Sequence, residues 1–157
     1  MKNKIRISAI LLIISIIALA LTSCGENVAY FGNATVVIEN KSGEYQVFDI
    51  DLSKLDSRDE GVISLLEYLC ADEENNFSFS ASWGAYGAYL TAVGDISEDK
   101  MNGKYIYVYT SFGDNYDTSV WVRTVSYGDI VLKTSGVGVS KMTVKDGTII
   151  LFRIEGF

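Results

Sequence analysis

The chain has 157 residues, with no histidine, no proline and only two cysteines. Without histidine, the Ser-His-Asp and Cys-His arrangements that activate a nucleophile are excluded in their usual forms. Zinc sites built on histidine are excluded for the same reason. We therefore expect no enzyme activity, no metal site and no cofactor.

The N-terminus has the composition of an export signal. Lys2, Lys4 and Arg6 precede an apolar run at residues 7–21. A basic region, an apolar core and a small-residue cleavage site, in this order, are typical of a secretory signal. The run fits the roughly 7–15 residues of a signal core better than the roughly 20 of a membrane-spanning helix. An uncleaved transmembrane helix is the alternative.

The run ends in Leu21-Thr22-Ser23-Cys24. This segment resembles a lipobox, the site at which bacterial lipoproteins are cleaved and acylated. The resemblance implies a signal peptide at residues 1–23, cleavage between Ser23 and Cys24, a lipid on Cys24 and a lipidated tether at residues 24–33. Two acyl chains anchor a protein stably, so we expect it on the extracytoplasmic face of a cell membrane. Cleavage by the ordinary signal peptidase, with Cys24 incidental, is the alternative.

Charge and cysteine content limit the kinds of molecule that the protein can bind. Cleavage would leave ten of the thirteen basic residues against twenty acidic ones, a net charge near −10. Such a surface disfavours nucleic acid and gives no attraction to anionic lipid, so the membrane is contacted through the lipid alone. With Cys24 acylated, Cys70 has no partner for a disulfide or a thiolate metal site. Its place at the end of an apolar helical stripe predicts a buried core residue.

The rest of the chain predicts one helix among many strands. Residues 34–39 and 45–52 predict a hairpin. Ser57 and Glu60 have capping-box spacing, and the apolar stripe after them predicts a helix that ends near Cys70. Further strands are predicted at residues 77–82, 86–93, 104–112, 119–126, 130–133, 141–145 and 148–154, with a hairpin signal at Asp146-Gly147. This pattern predicts an α+β domain, with one amphipathic helix on a mostly antiparallel or mixed sheet.

Four features recur in order after the helix: Tyr86-Gly87, Val93-Gly94-Asp95, a tyrosine-rich strand at residues 105–109, and Asp146-Gly147 before the last strand. They resemble the C-terminal domain of transcobalamin and intrinsic factor and related bacterial surface domains, over about residues 45–157. The resemblance implies a β-grasp-like fold for residues 34–157, with a role in ligand binding or surface display.

The chain departs from that family in three respects. Ile106 or Tyr107 stands where the family usually has tryptophan, and residues 112–115 replace its Asn-Gly turn. The chain also lacks the large helical domain that supplies half of the cobalamin site in the vertebrate proteins. Cobalamin binding is therefore not carried over, and a smaller ligand or a surface protein partner fits equally well.

Aromatic residues are the feature with binding character. Tyr105, Tyr107 and Tyr109 alternate with Ile106 and Val108, so the three tyrosines share one face of their strand. Tyrosine and tryptophan provide rigid contact area with a polar tip, which suits ligand or partner binding. The alternative is that a second layer covers them as core. The predicted binding residues are Trp83, Tyr86, Tyr89, Tyr105, Tyr107, Tyr109 and Trp121.

Three other patterns have simpler interpretations. Asp49 and Asp51 share a strand face and could form a glycosidase pair, but a solvated face is the better interpretation. Residues 114–117 fail the EF-hand spacing, and residues 135–138 lack the full glycine pattern of a nucleotide loop. The leading hypothesis is a membrane-anchored ligand- or partner-binding module, such as an accessory for capture of a small molecule. The alternative is a structural or adhesive display module without a small-molecule site.

Overall fold

A computed structural model describes residues 31–56, 59–85 and 87–156. The predicted signal peptide and Cys24 lie outside these ranges, as do Ser57 and Tyr86. None of the helices in the described ranges has the length and apolar content needed to cross a membrane. The elements are β1 (Asn33–Glu39), β2 (Tyr45–Asp51), α1 (Val62–Ala71), β3 (Phe79–Gly84), β4 (Gly87–Val93), β5 (Ile96–Ser97), β6 (Lys104–Thr110), β7 (Thr124–Tyr127), β8 (Ile130–Thr134) and β9 (Ile149–Gly156).

The strands form a six-stranded sheet, in the order β2-β1-β9-β6-β8-β7, and a three-stranded sheet, in the order β3-β4-β5. The hairpin of β1 and β2 has the predicted position, with Val36 opposite Phe48. Strand β9 pairs in parallel with β1 and antiparallel with β6, so the first and last strands are neighbours inside the sheet. The predicted α+β class, with one helix on mostly antiparallel and mixed sheets, is confirmed.

Each face of the large sheet carries a buried apolar cluster. On one face, Leu65 and Leu66 of α1 lie in the same buried cluster as Ile150 and Phe152 of β9. Burial of such a side chain contributes about 1.5–3 kcal/mol. On the other face, the β7–β8 hairpin covers a second cluster of Val37, Tyr109, Leu132 and Leu151.

The large sheet also curls, so that its two edge strands approach each other. The ring centroids of Tyr45 on β2 and Tyr127 on β7 are 5.4 Å apart in an edge-on contact, although these strands are opposite ends of the sheet order. The second layer considered as an alternative for the tyrosine face is thus the sheet's own last hairpin.

The helix begins later than predicted. Gly61 precedes it with φ 56° and ψ −123°, and no side chain caps the first turn. A Cβ at Gly61 would lie 2.6 Å from the Met142 carbonyl oxygen, so only glycine fits there. Glu60 therefore lies before the helix, and the predicted capping box is wrong.

The predicted end of the helix near Cys70 is confirmed, since α1 ends at Ala71, but Cys70 itself is exposed. Helical spacing fixes the angle of a residue around the axis. It does not show where along the axis the covering layer stops, which is why the prediction of a buried Cys70 is wrong.

One predicted strand is wrong and another begins later than predicted. Residues 141–145 form no strand, because β1 and β6 occupy both edges of β9 and leave no partner for a hairpin across Asp146-Gly147. The alternation that suggested a strand arises because Met142 and Val144 are buried in the core beside α1. In the segment 119–126 the strand begins only at Thr124, after a turn.

Candidate functional site

The large sheet opens between β6 and β8. Strand β8 pairs with β6 only at Tyr109↔Thr134 and Thr110↔Lys133. The last hydrogen bond runs from the Ser135 N–H to the Val108 carbonyl oxygen, at 2.8 Å. Beyond it the chain turns away, while β6 continues beside β9 as far as Lys104. The resulting cleft has a volume of about 780 Å³ and is closed on the far side by β4.

Specific contacts hold the walls of the cleft apart. The Asp117 N–H donates to the Thr134 carbonyl oxygen at 2.8 Å. Gly136 allows the chain to pass close to Asp117, because a Cβ there would lie 2.9 Å from the Asp117 Cα. The start of β4 is fixed by the Ala88 N–H, which donates to the buried Ser140 Oγ at 3.0 Å. The cleft is therefore built into the fold.

The cleft has an apolar interior and an aromatic mouth. Apolar cavities with a few oriented polar groups, of about 300–1,000 Å³, are typical of ligand sites. The interior is lined by Ala88, Leu90, Ile106, Val108 and Val139, and the mouth by Tyr89, Tyr105, Tyr107, Trp121 and Arg123.

Trp121 stands on an ordered loop at the mouth. Its side chain is 82% exposed. Asp117 fixes the loop by accepting from the Ser119 N–H at 2.8 Å and from its Oγ at 3.0 Å. The Ser119 Oγ in turn accepts from the Trp121 N–H at 3.2 Å. The protein thus presents an indole to solvent beside an apolar cleft.

A charged network supports the aromatic residues of the mouth. Arg123 Nη1 donates to Glu155 Oε2 at 2.7 Å and to the Gly156 carbonyl oxygen at 3.2 Å. The guanidinium lies 4.5 Å from the centre of the Tyr107 ring, within the range of a cation–π contact. The hydrogen bond to Glu155 raises the pKa of Arg123 above its ordinary value. Arg123 is therefore a fixed cation stacked on the aromatic wall.

The buried end of this network is Tyr109. Its hydroxyl donates to Glu155 Oε1 at 2.6 Å. Burial, followed by this bond, raises the pKa of Tyr109 far above its ordinary value, so the phenol remains protonated and keeps donating.

Tyr89 is held in a similar way at the other side of the mouth. Its hydroxyl donates to Glu98, whose side chain is only 3% exposed and pairs with Lys100 at 3.5 Å. Burial and the contact with Glu98 raise the pKa of Tyr89. Lys100 Nζ also lies 5.3 Å from the centre of the Tyr89 ring, so this ring is fixed in place.

Four of the predicted aromatic residues meet at the cleft: Tyr89, Tyr105, Tyr107 and Trp121. Tyr109 is only 1% exposed, because the β7–β8 hairpin covers its part of the strand, and it lies in the second core cluster. Trp83 is exposed on β3 but does not line the cleft.

Arg123 and the wall at residues 135–139 were not among the residues predicted to bind. The glycines at positions 136 and 138 are the only sequence signal of that wall.

The other patterns have local structural roles. Asp49 accepts from the Thr35 hydroxyl at 2.8 Å. Asp51 accepts from the side chain and backbone of Ser53, which lower its pKa. Neither lines the cleft. Asn115 is buried and bonds Thr143 through both atoms of its amide, so residues 113–115 tie two loops together. Within the described ranges, no group of three or more histidine, cysteine, aspartate or glutamate side chains is arranged to hold a metal.

No protein-family model matches the chain, and no curated protein sequence matches it. Solved structures share its fold. One, from Ruminococcus gnavus ATCC 29149, is described as a "putative metal binding protein", with 16% identity and a TM-score of 0.53 over 80% of this chain and 98% of that one. Another is haptocorrin in complex with Cbi, with 13% identity and a TM-score of 0.55 over 87% of this chain and 28% of that one. At these identities the similarity shows the fold alone.

Proposed function

We propose that this protein binds a ligand in the cleft between β4, β6 and residues 135–139 and does no chemistry on it. The observation that carries the proposal is Trp121, which is 82% exposed on a hydrogen-bonded loop at the mouth of a built apolar cleft. Exposed aromatic side chains beside a desolvated pocket are typical anchors of binding. The fold shared with haptocorrin, solved in complex with Cbi, and with a protein described as metal binding supports a binding role.

We further propose that the domain is a lipoprotein, held through Cys24 on the extracytoplasmic face of a membrane. The basic residues, the apolar run and the lipobox-like segment before Cys24 support this. The β-grasp assignment for residues 34–157 belongs to the same proposal, supported by a single helix packed on a mixed sheet.

A ligand screen tests the binding role. Full-length protein in detergent is melted in the presence of corrinoids, sugars and peptides, since a specific ligand raises the melting temperature by mass action. At one hundred times Kd the stabilisation is about 2.7 kcal/mol. We expect Trp121→Ala to weaken binding at least tenfold. Trp83→Ala, which removes an exposed tryptophan outside the cleft, should bind as the wild type does. Equal losses in the two variants would contradict the proposal.

Metabolic labelling tests the anchor. Cells grown with an alkyne fatty acid should label the wild type and a Cys70→Ala variant, because Cys70 lies in the folded domain. The Cys24→Ala variant should carry no label. A mature N-terminus other than residue 24, or label on Cys24→Ala, would contradict the anchor.

A second candidate is an adhesive display module. The observation in its favour is Val120, which is 90% exposed next to Trp121 and adds an apolar tip outside the cleft. In that case Val120→Ser would abolish attachment of cells to a partner surface while no small molecule raised the melting temperature.

A further inference from the structure

The edge of β6 that faces the cleft carries backbone groups with no strand opposite them. The Lys104 N–H donates to the Asp99 carbonyl oxygen at 2.9 Å and the Asp99 N–H returns a bond at 3.0 Å, while the Val108 carbonyl oxygen accepts from Ser135. Successive residues of a strand direct their backbone groups to opposite sides, so Ile106 faces the same side as Lys104 and Val108.

Between the Asp99 bridge and Ser135, none of the residues that the structure describes forms a ladder with this edge. The groups left there are the N–H and carbonyl oxygen of Ile106 and the N–H of Val108.

The cleft runs along this edge. Side chains at positions 105, 106, 107 and 108 alternate between the two faces of the sheet, yet all four line the cleft. A single cavity reaches four consecutive residues of a strand only from the strand's edge. The cleft therefore lies where the ladder would continue if β8 did not turn away after Thr134.

We propose that the ligand is an extended segment of another polypeptide, which enters the cleft as an added strand beside β6. This rests on the proposed binding function of the same cleft. A free strand edge is a template for pairing with another chain, and the donors and acceptors of an extended peptide repeat at the spacing of β6.

The side chains around the edge indicate what such a segment carries. On the core side, Leu90 and Val139 offer an apolar surface, while Tyr107 and Trp121 stand at the mouth. Because side chains alternate along a strand, we expect aliphatic residues at every second position of the bound segment.

The test begins with a random nonapeptide library displayed on phage, selected on the full-length protein in detergent. An enriched peptide is synthesised and added to ¹⁵N-labelled protein. Hydrogen exchange at the amides of Ile106 and Val108 should slow at least tenfold. The amide of Tyr107, on the side of β6 that pairs with β9, should not change.

A pair of variants isolates the backbone contact. Val108→Pro removes the N–H that faces the cleft and keeps the carbonyl oxygen that Ser135 needs. Proline is tolerated in a strand where the N–H does not serve the ladder. Val108→Ala keeps the N–H and loses side-chain volume. Because both variants lose the valine side chain from the cleft lining, the comparison between them isolates the N–H. We expect Val108→Pro to bind at least tenfold more weakly than Val108→Ala.

N-methylation of the peptide gives the same test without changing the protein. Methylation of the amide that donates to Ile106 should abolish binding, whereas methylation of the next amide should be tolerated.

The outcomes separate this inference from the proposed function. A peptide that binds without slowing exchange at Ile106 and Val108, or that tolerates N-methylation at every position, overturns the added strand and leaves a binding cleft. If no peptide is enriched but a small molecule binds and its binding needs Trp121, the added strand is likewise overturned and the binding cleft remains. Failure of every peptide and every small molecule overturns both proposals.

Discussion

Tyr109→Phe removes one hydroxyl from the buried end of the network that supports the cleft. Tyr109 is 1% exposed, and its hydroxyl donates to Glu155 at 2.6 Å. A hydrogen bond to a charged group contributes about 1.5–3 kcal/mol. Glu155 keeps its contact with Arg123 at 2.7 Å, so its charge stays compensated after the change. The ring and its packing also remain, so we expect the lower end, a loss of about 1.5 kcal/mol.

Urea unfolding followed by tryptophan fluorescence measures this loss. Thermal unfolding gives a second measurement: for a domain of this size, a loss of about 1.5 kcal/mol lowers the melting temperature by roughly 5 °C. Tyr45→Phe is the control, since Tyr45 is 45% exposed and its ring contact with Tyr127 survives the change. The control should stay within about 0.5 kcal/mol of the wild type. Equal losses of stability in the two variants, or a smaller loss in Tyr109→Phe than in Tyr45→Phe, would contradict a stabilising hydrogen bond between Tyr109 and Glu155.

Alkaline titration followed by tyrosinate absorbance should show Tyr89 and Tyr109 ionising above the ordinary pKa of tyrosine, about 10, because their pKa values are raised in the fold. The stability that these two protonated tyrosines contribute is complete below about pH 10, and it is lost as the pH rises toward their folded pKa. The urea midpoint should therefore fall above about pH 10, and it should fall less steeply in Tyr109→Phe. Gly61→Ala should lower the free energy of unfolding by at least about 1 kcal/mol more than Gly43→Ala. Both glycines have positive φ, but of the two only Gly61 lacks room for a Cβ. Equal losses would show that the strain of a positive φ accounts for the whole effect. Cys70 should react with a maleimide in the native protein, because the residue is exposed. The reaction should be slow, since partial burial of the thiol raises its pKa. A thiol that reacts only after the protein is unfolded would contradict the exposure.

Local patterns predicted the elements whose contacts are near in sequence. The hairpin of β1 and β2 follows from β-branched residues on both sides of a polar turn. The helix follows from the spacing of Leu65, Leu66 and Leu69. The alternation on β6 put the three tyrosines on one face, and the structure packs Ile106 and Val108 on the other face against the core that holds the helix.

The cleft could not be predicted, because it depends on pairings distant in sequence. Tyr107 and Tyr109 share a face and a residue type, yet one lines the cleft and the other is core. What separates them is the point at which β8 leaves β6, at Thr134. That point depends on the packing of Gly136 against Asp117, nineteen positions apart along the chain.

The parallel pairing of β1 with β9 joins residues near 35 to residues near 150. Contacts of such long sequence separation slow folding, because the loop between them must be closed before the pairing stabilises it. The central ladder can form only after the last strand has been synthesised. The chain therefore cannot complete this ladder while it is still being synthesised, which is compatible with the export proposed above.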